Sequence, residues 1–145
     1  MTDLSAVTGP VHHVGFVVRT LEPAETLFGA LGYARLADSI NDPRQDAEIV
    51  FLARSGRVAG EPLIELVRPL SEASPVHAFG VESRMRIHHL CFSVLDIEQA
   101  STSLRRRRVT QVMPVVDAPA IGGRRITFFF SRGTGLFELV ERPPF

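Results

Sequence analysis

The chain is short of three things: cysteine, net charge and long apolar runs. Its single cysteine, Cys91, can form no intramolecular disulfide, so the fold must rest on buried apolar surface. A chain of 145 residues is long enough to bury a core without such a staple. Sixteen basic residues balance sixteen acidic ones, which argues against a general electrostatic attraction to nucleic acid or to a membrane surface. No apolar run approaches the ~20 residues of a membrane-spanning helix, and residues 1–10 lack the basic start and apolar stretch of a signal peptide. The expectation is a cytoplasmic protein with no nucleic-acid or membrane partner.

What the chain does contain is itself, twice. His12-His13-Val14-Gly15-Phe16-Val17-Val18 recurs as His88-His89-Leu90-Cys91-Phe92-Ser93-Val94, 76 positions later. Ile64-Glu65-Leu66-Val67-Arg68-Pro69 recurs as Phe137-Glu138-Leu139-Val140-Glu141-Arg142-Pro143, 73 positions later. Two matches in one order at nearly one offset indicate a duplicated module within a single domain spanning 1–145. Module one runs over about 10–70, a linker over 71–85, and module two over about 86–143.

Each copy reads as βαβββ. Residues 11–18 are apolar and β-branched, as a strand requires. Leu21, Ala24, Leu27, Phe28 and Leu31 then share one face of a helix over 22–31, with Pro23 near its start and Gly32 as its stop. Strands are expected at 34–40, 47–53 and 62–68. The second copy offers a strand at 87–94 and a helix over 96–107 following Asp96 as N-cap. Strands then fit 109–116, 124–131 and 135–141, with Phe128, Phe129 and Phe130 as core on both faces of the second. The linker has room for one or two helical turns.

Alternation along a strand sends every second side chain to one face. His13 therefore travels with Gly15 and Val17, His89 with Cys91 and Ser93, Glu65 with Leu63 and Val67, and Glu138 with Leu136 and Val140. A carboxylate inside an apolar strand is costly without a partner, and two in matching places ask for a cation. Mixed imidazole and carboxylate ligands favour an open octahedral site for Mn, Co, Ni, Fe or Zn over a structural zinc site. The expectation is one divalent metal ion held by His13, Glu65, His89 and Glu138. Taken singly, each such histidine is more often a hydrogen-bonded core residue, and each glutamate an exposed one; the duplication explains all four together.

At these residues the sequence resembles the vicinal oxygen chelate superfamily of glyoxalases, dioxygenases and bleomycin-resistance proteins, and within it the methylmalonyl-CoA epimerases. The resemblance runs through the two His-His strands, Ile64 to Leu70, Ser74-Pro75-Val76, Asp96-Ile97 and Gly135 to Glu141. It implies an α+β fold of two tandem βαβββ modules whose curved mixed sheets enclose a metal cavity. It also implies an isomerase that removes and returns the C2 proton of a 2-substituted malonyl-CoA through an enediolate, and a homodimer. By position it nominates Glu138, and Glu48 on the strand Ala47 to Phe51, as the acid–base pair. Val50 and Leu52 would line the same face as Glu48. Ser93 departs from the acidic residue that epimerases often carry, and Asn41 to Glu61 matches poorly, so the substrate is less well specified than the metal site.

Two other readings use the same residues: a glyoxalase-type lyase or isomerase of a specialised pathway, and a non-catalytic module that sequesters a small molecule. The full ligand set favours an enzyme. Arg105 to Arg108 could hold CoA phosphates, although such a run more often closes a helix in solvent. Gly122-Gly123-Arg124-Arg125 is first a turn, with an anion contact as its second reading. His77 is expected at the surface and Cys91 in the core.

Overall fold

The computed structural model describes residues 4–5, 8–80 and 86–143. Residues 81–85 of the expected linker lie outside them. The chain forms two compact units, one of residues His13–His88 and one of Met1–His12 with His89–Phe145. Among the described residues no helix is long and apolar enough to cross a membrane.

The first unit takes strand β1 (Thr8–Val17) from His13 onward, then helix α1 (Leu21–Ala30), β2 (Tyr33–Arg35), β3 (Ile40–Asp42), β4 (Ala47–Arg54) and β5 (Leu63–Pro69). A four-residue helix, α2 (His77–Gly80), follows in the linker. The sheet order is β2-β4-β5-β1, with β3 also on β4. Only the β1–β5 ladder is parallel; β4 runs antiparallel to β5, β2 and β3. Helix α1 ends because Gly32 adopts φ +90°, a conformation that costs glycine little. It covers one sheet face, packing Leu21, Ala24 and Phe28 on Val50, Leu52, Ile64 and Leu66. The buried stripe is narrower than the five-residue face expected from sequence: Leu27 is 51% and Leu31 61% exposed.

The second unit repeats the design with β6 (Arg86–Val94) from His89 onward, α3 (Ile97–Arg106), β7 (Thr110–Gln111), β8 (Val116–Ala118), a 3-10 turn at Pro119–Ile121, β9 (Arg124–Ser131) and β10 (Gly135–Glu141). Strands β6 and β10 are parallel, β9 is antiparallel to β10, and β7 and β8 both pair with β9. Asp96 caps α3 as expected, its Oδ1 accepting from the Gln99 amide at 3.0 Å. The helix packs Ile97 and Ala100 against Val94, Phe129 and Leu139. Of the three consecutive phenylalanines, Phe128 and Phe129 are core, but Phe130 is 44% exposed near the strand end.

The single strands expected at 34–40 and 109–116 are each broken in two, in the same way. Between β2 and β3, residues 36–39 face only residues 50–51 of β4. Between β7 and β8, residues 112–115 face only residues 127–128 of β9. Each break thus inserts two extra residues into an edge strand, a large bulge that bends the strand. Pro114, which cannot donate to a ladder, lies within the second. The duplication therefore reaches down to matching irregularities.

Candidate metal centre

In the first unit, the parallel register sets His13 beside Leu63 and Gly15 beside Glu65, so the side chains of His13 and Glu65 rise from the same face. Across the other edge of β5, Glu65 is opposite Phe51. His13 is fully buried and Glu65 is 5% exposed. The Nε2 of His13 is 2.9 Å from Oε2 of Glu65. The His13 ring stands nearly perpendicular to that of Phe51, with centroids 5.1 Å apart. This face is the one that α1 leaves uncovered.

The second unit builds the same constellation from equivalent residues. Glu138 is register-paired with Cys91 on β6 and with Phe128 on β9. Nε2 of His89 is 2.9 Å from Oε2 of Glu138, and both residues are buried. The rings of His89 and Phe128 again meet edge to face at 5.1 Å. Phe128 was expected in the core, but neither phenylalanine was expected beside a histidine, although Ile49-Val50-Phe51 recurs as Ile126-Thr127-Phe128, 77 positions later.

A buried carboxylate must be compensated by a cation or by several hydrogen bonds, and in each unit a histidine nitrogen is already at hand. Nitrogen and carboxylate oxygen together suit first-row divalent ions. Ligand atoms bonded at about 2.1 Å and at right angles to one another sit about 3 Å apart. The 2.9 Å separation within each pair matches that spacing. The residues present therefore fit the metal that the sequence suggested.

Glu48 requires a correction. It does share a face with Val50 and Leu52 as expected, but that is the face covered by α1, opposite to Phe51 and Glu65. Its ladder partner is Arg68. Arg68 donates to Oε2 from Nε at 2.8 Å and Nη2 at 2.6 Å, and Ser39 donates to Oε1 at 2.7 Å. The Ser39 hydroxyl and then the Arg68 guanidinium hold the Glu48 carboxyl below its ordinary pKa, against a smaller opposing effect of burial.

The remaining nominees fall outside the two pairs. Arg105 donates to Gln111 and Thr102 on the α3–β7 side, where Arg105, Glu98 and Met113 line a surface cleft. Cys91 is a buried core residue and a neighbour of Glu138 in register. Ser93, also buried, continues the His89 face. Arg125 forms a two-pronged ion pair with Glu141 at 2.8 and 2.9 Å, and Glu141 also accepts from the Ile97 amide at 3.1 Å.

Known proteins resemble the chain over most of its length. Over 136 residues the chain is 25% identical to human mitochondrial methylmalonyl-CoA epimerase, covering 92% of this chain and 74% of that protein. It is 29% identical over 98 residues to an ethylmalonyl-CoA/methylmalonyl-CoA epimerase of Cereibacter sphaeroides, covering 67% and 69% of the two chains. The crystal structure of methylmalonyl-CoA epimerase from Mycobacterium tuberculosis superposes with a TM-score of 0.82 at 28% identity, covering 99% of this chain and 94% of that one. Residues 12–128 match the model of the Glyoxalase/Bleomycin resistance protein/Dioxygenase superfamily, a span that takes in His13, Glu65 and His89 and stops before Glu138. The chain belongs to that superfamily.

Proposed function

We propose that the two His–Glu pairs hold one divalent metal ion between them and that the protein is an epimerase acting at C2 of a 2-substituted malonyl-CoA, such as methylmalonyl-CoA. The observation that carries this reading is the repetition of one buried pair, at one distance, from equivalent residues of both modules. The similarity to methylmalonyl-CoA epimerases over most of the chain supports the substrate class. A homodimer is part of the proposal and is read by light scattering.

The chemical difficulty is the weak acidity of a C–H beside a thioester carbonyl. The ion, when bound, would supply a Lewis acid for the substrate's carbonyl oxygens. His13, Glu65 and His89 would fix its position, and the apolar walls formed by Phe51, Phe128 and Val140 would keep water away from the acidified proton. Glu138 is the carboxylate proposed to take the proton from one face of C2, and inversion requires a proton donor on the opposite face. Glu48, on the other face of β4, is assigned no step. The test is exchange of the C2 hydrogen of methylmalonyl-CoA with deuterium. Wild type should exchange it and Glu138→Gln should not. A metal-loaded wild type inert towards this substrate would move the site to another enolising substrate, as in the glyoxalase-type reading. Absence of metal would leave the sequestering module.

A further inference from the structure

The two modules agree around their His–Glu pairs and part company one row away. In the second unit Phe128 lies opposite Glu138, and the next pair on the same face of that ladder is Phe130 opposite Leu136. Directly opposed residues of an antiparallel pair rise from one face. Phe130 and Leu136 therefore share the face of Glu138, whereas Phe129 and Leu139 pack under α3 on the other. Across the far edge of β9, Phe130 is paired with Thr110 of β7. In the first unit the residue equivalent to Phe130, 77 positions earlier, is Ala53, and its β2 partner is Ala34.

The packing of the module does not demand a ring at this row, because the first unit is built with alanine there. The core of the second unit does not claim it either. Leu136 packs against the cluster of Cys91, Ala118, Ile126, Phe128 and Val140, whereas Phe130 keeps 44% of its surface exposed. A phenyl ring left half in water forgoes much of the gain that its burial brings. A single exposed apolar residue is ordinary on a protein surface, but this one stands on the face that carries the candidate ligands. Two strand residues, about 7 Å, separate the Cα atoms of Phe130 and Phe128, and Phe128 is the ring that meets His89 edge to face. A substituent on a carbon held beside Glu138 reaches that row within a few bonds, whereas the far end of a CoA carrier lies many bonds from the same carbon.

We infer that Phe130 is a specificity-determining residue whose ring, with Leu136 beside it, receives the apolar substituent on C2 of the acyl group. The inference rests on the proposed function for the identity of its ligand. The contact is alkyl on aromatic, without charge or hydrogen bond, so it selects by the presence and size of the substituent. One methyl or methylene group in such an apolar contact is worth about tenfold or more in discrimination. Malonyl-CoA, with hydrogen where the substituent would be, makes no such contact. The first unit, with Ala53 and Ala34 at this row, offers no ring there.

The test is calorimetric titration of the metal-loaded full chain with malonyl-CoA and with racemic methylmalonyl-CoA, in wild type, Phe130→Ala and Phe130→Leu. Wild type should bind methylmalonyl-CoA more tightly than malonyl-CoA, and Phe130→Ala should reduce that ratio by about tenfold. Phe130→Leu, which keeps apolar bulk, should fall between them and carries the test if the alanine variant does not fold. The inference is overturned if wild type binds neither compound or prefers neither, or if Phe130→Ala weakens both equally. A fall in mass by light scattering with an unmoved ratio would also overturn it, by assigning the ring to a contact between copies of the chain. Deuterium exchange at C2, followed in the same samples, separates this inference from the reading it rests on. A ratio that collapses in a protein whose wild type exchanges no C2 hydrogen would refute the epimerase and leave the Phe130 contact standing. Exchange in wild type with a ratio indifferent to Phe130 would do the reverse.

Discussion

Glu48 and Arg125 occupy equivalent places in the two modules and carry opposite charges. Glu48 is paired with Arg68 across the β4–β5 ladder, and Arg125 with Glu141 across β9–β10. Arg68 and Glu141 are separated by 73 positions, the same offset as Glu65 and Glu138. In each module an ion pair therefore lies three residues beyond the candidate ligand glutamate, on the opposite face of the sheet. An epimerase needs a general base near its substrate, yet the duplicate of Glu48 is a cation engaged in a structural contact. That correspondence favours a structural role for the Glu48–Arg68 pair.

Replacing Glu48 with glutamine should lower stability at neutral pH by about 1 kcal/mol, since the pair is partly exposed and Ser39 also loses its charged acceptor. Exchange of the C2 hydrogen by Glu138 should persist. Urea melts and deuterium incorporation measure the two effects separately. Exchange that survives while inversion of configuration is lost would restore Glu48 as the second acid–base group.

The Glu141 carboxylate gives a pH prediction with a definite sign. Arg125 first, and then the Ile97 amide, lower its pKa against the effect of burial. A depressed carboxylate pKa adds stability above the unfolded value near about 4.3, and the contribution disappears as pH falls through the folded pKa. Arg125 is 41% exposed on its side chain, so solvent screening limits the effect to about 1 kcal/mol or less. Glu141→Gln should therefore be less stable than wild type at neutral pH, and the two should converge in acid. A gap that widened on acidification would contradict the assignment.

Much of this arrangement was legible in the sequence because duplication makes each half a check on the other. The His-His strands and the Glu65 and Glu138 strands could be aligned without coordinates, and alternation then placed the four side chains on definite faces. Strands β9 and β10 fall at the expected 124–131 and 135–141. The edge strands were harder. Nothing in Leu36-Ala37-Asp38-Ser39 announces a two-residue insertion, because a bulge depends on what the partner strand offers. Glu48 was misplaced for a related reason. Its alternation partners Val50 and Leu52 were identified, but which face of β4 meets α1 is fixed by the register with β5, and that register is set by tertiary packing.

Asp96 offers a local test of helix α3. Asp96→Ala removes the side-chain acceptor of the Gln99 amide and should cost about 1 kcal/mol. Metal content and C2 exchange should be unchanged, because the cap lies on the helix side of the sheet. A chemical denaturation curve with an unaltered slope checks the first point. Loss of metal in this variant would show that α3 positions His89 or Glu138.

The central claim is one ion shared by the two pairs, and metal stoichiometry tests it most directly. Purified wild-type chain, saturated with cobalt or manganese and freed of excess, should carry one equivalent by elemental analysis. His13→Ala and His89→Ala should each lose it, because either substitution removes one of the four ligands from the same ion. Two equivalents in wild type, with one surviving in each variant, would mean that each His–Glu pair binds its own ion, and no bound metal in wild type would mean that the pairs are buried hydrogen bonds; both results would contradict the account.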